Sequence, residues 1–295
     1  MRLTFGLILW AGLVPGLPVT AALAQSAPAD TIVITGDLPG HEREQAQSYL
    51  KALGIVVGEQ QASRWFDPIC PRAIGLSREN SAIVERQIRE IIREVGAPLA
   101  KEGCTPNFAV SFTDGPERVV RRILKSGGVP NSVDARALEQ TEAPVRWWYH
   151  TEFRTRDGTP AADLPNVGAA MEGNNVTMLP IGRLGNLSLY GSSLTSTQAV
   201  RAIRSATVVI DVRRAEGVRL KSIVDYATLV GLAEIKLRAS PTGSILSLFR
   251  QDGERRLTRR DYAFLTALYR MPMDRQTDQQ RRALLTAMTD AKSSN

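Results

Sequence analysis

The sequence predicts an α/β or α+β fold, with a mixed sheet flanked by helices and a largely helical C-terminal part. Three observations carry that prediction. Stretches with two-residue alternation, such as Phe108-Ala-Val-Ser-Phe112, interleave with stretches of helical spacing, such as Val84, Ile88, Ile91 and Val95. Runs rich in β-branched and aromatic residues end at Gly, Pro or Asp-Gly, which favour turns. From Leu220 onward the apolar spacing is mostly helical. The 295 residues, 43% hydrophobic and 23% charged, have the make-up of an ordinary globular chain able to bury a sizeable core.

The N-terminus reads as a secretory signal peptide over residues 1–24. Arg2 supplies the positive end, Leu3 to Val19 the apolar run, and Ala22-Leu23-Ala24 the small-residue cleavage site. Pro15 and Pro18 interrupt the run, which argues against a spanning anchor. The expected location is the periplasm or the secreted space after cleavage near Ala24, with no transmembrane anchor in the mature chain. Cleavage would remove Arg2 and leave 36 basic against 30 acidic residues. That excess is spread along the chain, so nucleic acid is not an expected partner.

Residues 25–128 read as an N-terminal α/β unit. Thr31 to Thr35 is a β-branched strand candidate, and Glu42 to Leu53 a helix stopped at Gly54. Ser48 and Lys51 have the Ser-x-x-Lys spacing of penicillin-recognising acyltransferases, echoed by Lys125-Ser126-Gly127. The Ser-x-Asn element is missing and the interval too short, so two polar residues on a solvated helix is the simpler reading. A helix from Ser81 follows, with alternating charges (Glu85, Arg86, Arg89, Glu90, Arg93, Glu94) that suggest a solvated face and no binding patch. Next come the Phe108 strand and a helix beginning near Pro116.

Cys70 and Cys104, the only cysteines, bracket this helix. In an oxidising compartment an isolated pair is most simply a structural disulfide. A metal pair would need more soft ligands, and a redox couple usually has Cys-x-x-Cys spacing.

Gly127 to Glu142 reads as a linker holding a short helix over Asp134 to Gln140, and 145–295 as a C-terminal α+β unit packed on the first as one body. Val145 to Arg156 is an aromatic-rich strand, with Trp147 and Tyr149 on one side and Trp148 and His150 on the other. Aromatics on a strand are mostly core. An exposed group of Trp147, Trp148, Tyr149, Arg146 and Arg154 would instead suit a glycan or a partner protein, and this is the candidate binding surface. Thr159 to Gly173 is expected to be irregular, Asn175 to Leu179 and Ala206 to Val212 to be strands, and Thr197 to Arg204 a short helix. Helices are expected over Leu220 to Ile235, Ser244 to Phe249, Thr258 to Arg270 and Thr277 to Ala291. Thr258-Arg-Arg-Asp261 is a capping-box-like start.

A strand ending Val209-Ile210-Asp211, a helix Ser222-Ile-Val-Asp-Tyr-Ala-Thr-Leu-Val-Gly-Leu-Ala, and a helix Leu257-Thr-Arg-Arg-Asp-Tyr-Ala-Phe-Leu-Thr-Ala-Leu-Tyr269-Arg follow one another near the C-terminus. The arrangement is similar to that of zincin-type metalloproteases. It also resembles secreted proteobacterial families of unknown function that look like degenerate, zinc-less versions of that fold. In the active family two histidines one turn apart bind zinc and a glutamate activates water. At the corresponding positions stand Asp225, Tyr226 and Leu229, and no histidine follows His150. The resemblance therefore implies an inactive form without a metal or other cofactor.

Gly-x-Ser-x-Gly, Asp-Thr/Ser-Gly and P-loop patterns are also absent. The expectation is a non-catalytic secreted protein that binds an envelope protein or polymer on a degenerate enzyme-like scaffold. The alternatives are a peptide or polysaccharide hydrolase with an unrecognised carboxylate site, and a binder of anionic surfaces.

Overall fold

A computed structural model describes residues 39–130, 134–140, 142–156, 158, 169–172, 175–178, 197 and 199–293. Residues 1–24, read as a signal peptide, and the strand candidate Thr31 to Thr35 lie outside the described residues. Leu38–Asn295 forms one compact unit. Its helices are α1 (Pro39–Leu53), α2 (Arg78–Glu94), α3 (Pro116–Lys125), α4 (Ala135–Gln140), α5 (Leu220–Leu232), α6 (Arg259–Arg270) and α7 (Thr277–Ser293). Its strands are β1 (Arg64–Trp65), β2 (Pro71–Ile74), β3 (Phe108–Thr113), β4 (Val145–Thr155), β5 (Ala169–Glu172), β6 (Asn175–Met178) and β7 (Ala199–Asp211). This is a mixed α/β architecture whose sheet is flanked by helices and whose C-terminal end is helical.

β7 is the centre of the sheet. Along one edge it pairs in parallel with β1 at Ala202 and Ile203 and with β3 from Ala206 to Asp211. Along the other it pairs antiparallel with β4, with a register shift between His150 and Thr151. β2 lies outside β3, also parallel, and α2 makes the crossover that a parallel neighbour requires. Strands from both sides of the Gly127 to Glu142 segment thus share one sheet. A separate hairpin joins β5 to β6.

Two expectations change here. Thr197 to Arg204 does not form a helix, because Ala199–Arg204 belongs to β7. Valine and isoleucine in Ala-Val-Arg-Ala-Ile-Arg fit a pleated surface, and flanking β1 and β4 supply backbone partners that outweigh the helix propensity of alanine and arginine. Ala169–Glu172, expected to be irregular, is a strand because β6 pairs with it.

The two faces of the sheet are covered by different helices. On one face Trp65, Phe108, Trp147 and Tyr149 meet the C-terminal half of α5 and the segment after it. The Trp65 and Trp147 indoles donate to the Gly231 and Ile235 carbonyls at 2.8 and 2.9 Å, and the Tyr149 hydroxyl donates to the Val230 carbonyl at 2.6 Å. On the other face Trp148 and Val209 pack with Val120, Val129 and Leu138 from α3, α4 and their connection. Each fully buried side chain of this size contributes about 1.5–3 kcal/mol.

Local chemistry sets the element ends. Ser77 caps α2 by accepting from the Asn80 amide, and Gly96, at a φ of 75°, turns the chain after the helix. Thr258 and Asp261 make the full capping box at the start of α6. From Ser222 to Leu232 every residue of α5 is buried, as expected of a helix apolar on nearly all sides.

Candidate functional site

Residues Asp225, Tyr226 and Leu229 all lie in the interior on α5. Asp225 is fully buried, and both of its carboxylate oxygens are engaged. Gln87 Nε2 donates to Oδ1 at 2.5 Å from α2, while Arg256 Nε and the Leu257 amide donate to Oδ2 at 2.6 and 3.1 Å. The Tyr226 ring packs edge-on between Trp147 and Phe249, and burial pushes its phenol well above the ordinary range. Leu229 is fully buried and carries no donor atom. This set does not fit a zinc ion: one carboxylate already saturated by protein donors, one phenol held neutral and one hydrocarbon.

The strand offered as a binding surface is interior as well. Trp147, Trp148, Tyr149, Arg146 and Arg154 are all buried, which agrees with the reading of the strand aromatics as core and corrects the alternative of an exposed candidate binding surface. The physical reason is that each polar tip finds a partner inside. Besides the bonds above, Trp148 Nε1 donates to the Gly128 carbonyl at 3.1 Å, and His150 Nε2 lies 3.0 Å from the same oxygen. Arg146 donates to the Leu138 carbonyl at 3.0 Å and to Glu117 at 2.7 Å. Arg154 forks onto Asp67, reaches Glu152 at 2.7 Å and the Gly158 carbonyl at 3.2 Å, and so ties β4 to the segment after β1. The Arg154 guanidinium holds the Asp67 carboxyl below its usual range. Trp147, Trp148 and Tyr149 contribute to the wall of a recess of about 300 Å³ shared with Glu234. Burial raises the pKa of that carboxyl, and Arg201 engages it at 2.6 Å.

Ser48 and Lys51 are both exposed on α1. Cys70 and Cys104 lie at bonding distance, Sγ to Sγ 1.96 Å, and close a loop of 34 residues around α2.

A charged groove lies beside that bridge. It has a volume of about 350 Å³ and runs between α2 and the loop at Glu102 to Cys104, with Arg72, Arg86, Arg89 and Arg93 along it. The α2 arginines fall on one stripe because residues three and seven apart share a helix face. That stripe flanks the buried face of Val84, Ile88, Ile91 and Ile92. Arg89 reaches across to the Ala100 carbonyl, and Glu85 accepts from the Ala73 amide at 3.0 Å, closing the outer edge of β2. Arg86 and Arg93 are exposed and have no ion-pair partner among the described residues. The alternating charges along α2 hid this stripe; the spacing of the arginines alone, read around the helix, was the available signal.

The chain matches no protein-family model, no curated protein and no solved structure.

Proposed function

We propose that this chain is an extracytoplasmic, non-catalytic binding protein that recognises an envelope protein or polymer on a scaffold resembling a degenerate zincin. The observation that carries the reading is the engagement of Asp225 by donors from α2 and from the Arg256–Leu257 segment. A residue at a former metal position that knits two elements to α5 serves the core, and the same helix presents Tyr226 and Leu229 to packed neighbours instead of a cleft. The Cys70–Cys104 bridge and the signal-peptide pattern support an oxidising, extracytoplasmic location. No described helix is long and apolar enough to cross a membrane.

The test is a screen of peptide, ester and polysaccharide substrates, with and without added zinc, on the wild-type chain and on Asp225→Asn. The reading expects no turnover in either. Turnover that is lost in Asp225→Asn would replace it with a hydrolase.

A further inference from the structure

We infer that the groove between α2 and the Cys70–Cys104 loop binds an acidic peptide segment of a partner protein, whose carboxylates pair with Arg86 and Arg93. This rests on the reading of the chain as a binding protein and names its contact surface and ligand chemistry. Arg86 and Arg93 stand seven residues apart on α2, about 10.5 Å along the axis at 1.5 Å per residue. Two acids three residues apart in an extended chain span about 10 Å at 3.3–3.4 Å per residue, which matches.

Guanidinium groups receive carboxylates through paired N–H donors, and neither of these two is engaged in an ion pair among the described residues. The volume, about 350 Å³, admits a few side chains and not a globular surface. The groove is also not uniformly basic. Glu85 and Glu102 stand among the arginines, a mixture that repels a dense polyanion but suits a peptide offering both carboxylates and N–H donors. The wall opposite α2 is held by the bridge, with the Asn107 side chain fixing the Cys70 amide at 2.7 Å, so the site is formed before the ligand arrives.

The experiment is fluorescence anisotropy with labelled decaglutamate at low salt, on the chain from residue 25 onward with the bridge intact. Arg86→Ala/Arg93→Ala is compared with Arg122→Ala/Lys125→Ala, which removes the same charge from the exposed side of α3. Thermal melting confirms that both variants fold. The inference expects binding that the α2 variant weakens about tenfold or more and the α3 variant changes less than about twofold. Equal weakening by both variants would mean diffuse charge attraction and overturns the groove. No binding of decaglutamate to the wild type overturns it too. Tighter binding of polyphosphate than decaglutamate, with the same loss in the α2 variant, would assign the groove to a polyanion and overturn the peptide. None of these three results touches the non-catalytic reading, which fails only in the substrate screen.

Discussion

Arg256 Nε donates to Asp225 Oδ2 at 2.6 Å, joining the loop before α6 to the middle of α5. Gln87 holds the other oxygen from α2. Replacing Asp225 with Ala leaves the buried Leu257 amide without its acceptor, because Arg256, half exposed, can turn to water but the amide cannot. The expected loss is roughly 2 to 4 kcal/mol. Asp225→Asn keeps the shape and should lose less. Urea melts of both variants measure this; an unchanged midpoint for Asp225→Ala would remove the structural role.

The Tyr49 hydroxyl donates to Asp261 Oδ1 at 2.6 Å, while Oδ2 accepts the Ile245 and Thr258 amides at 2.9 Å each. One carboxylate thus caps α6, anchors the short 3₁₀ turn at Ile245–Ser247 and holds α1. Tyr49→Phe keeps the edge contact with Phe264 and removes the hydrogen bond to a charged acceptor. The expected cost is about 1.5–3 kcal/mol. Thr258→Ala removes one cap bond and should cost about 1 kcal/mol. Both can be read from denaturant midpoints.

Gly231 sits inside α5, where alanine would ordinarily help a helix by up to about 1 kcal/mol. A Cβ there would come 2.0 Å from the Phe108 ring. The ring is fully buried against the helix, so overpacking of about 1–3 kcal/mol should exceed the propensity gain. Gly231→Ala is expected to lower the melting midpoint; a rise would mean that Phe108 can move aside.

Much of the fold was legible because it is local. The alternation of Phe108, Val110 and Phe112, the stripe of α2 and the Thr258–Asp261 box each specify one element from neighbouring residues. The two faces of the aromatic strand were legible too, since Trp147 and Tyr149 turn to α5 and Trp148 to α3 and α4. What was not legible depends on partners distant in the chain. Ala199–Arg204 is a strand only because β1 and β4 flank it. Arg146 and Arg154 look like surface charges until Glu117 and Asp67 are brought beside them. The arginine groove needed both the helix geometry and the loop that the disulfide brings up to it.

The Asp67–Arg154 pair predicts a pH dependence. The folded-state pKa of Asp67 is depressed, first by the hydrogen bond from Arg154, so its contribution is present above the unfolded value near 3.8. It is lost as pH falls through the still lower folded value. Between about pH 5 and pH 2 the wild type should therefore lose more stability than Asp67→Asn, whose curve lacks this component. Parallel curves for the two would show that Arg154 draws nothing from the pair.

The claim that α5 is a core helix and not a metal centre is tested most directly by titrating zinc into the purified, chelator-washed chain in a calorimeter. The account predicts no saturable one-to-one binding, and identical traces for wild type and Asp225→Asn. Stoichiometric zinc binding that disappears in Asp225→Asn would contradict it.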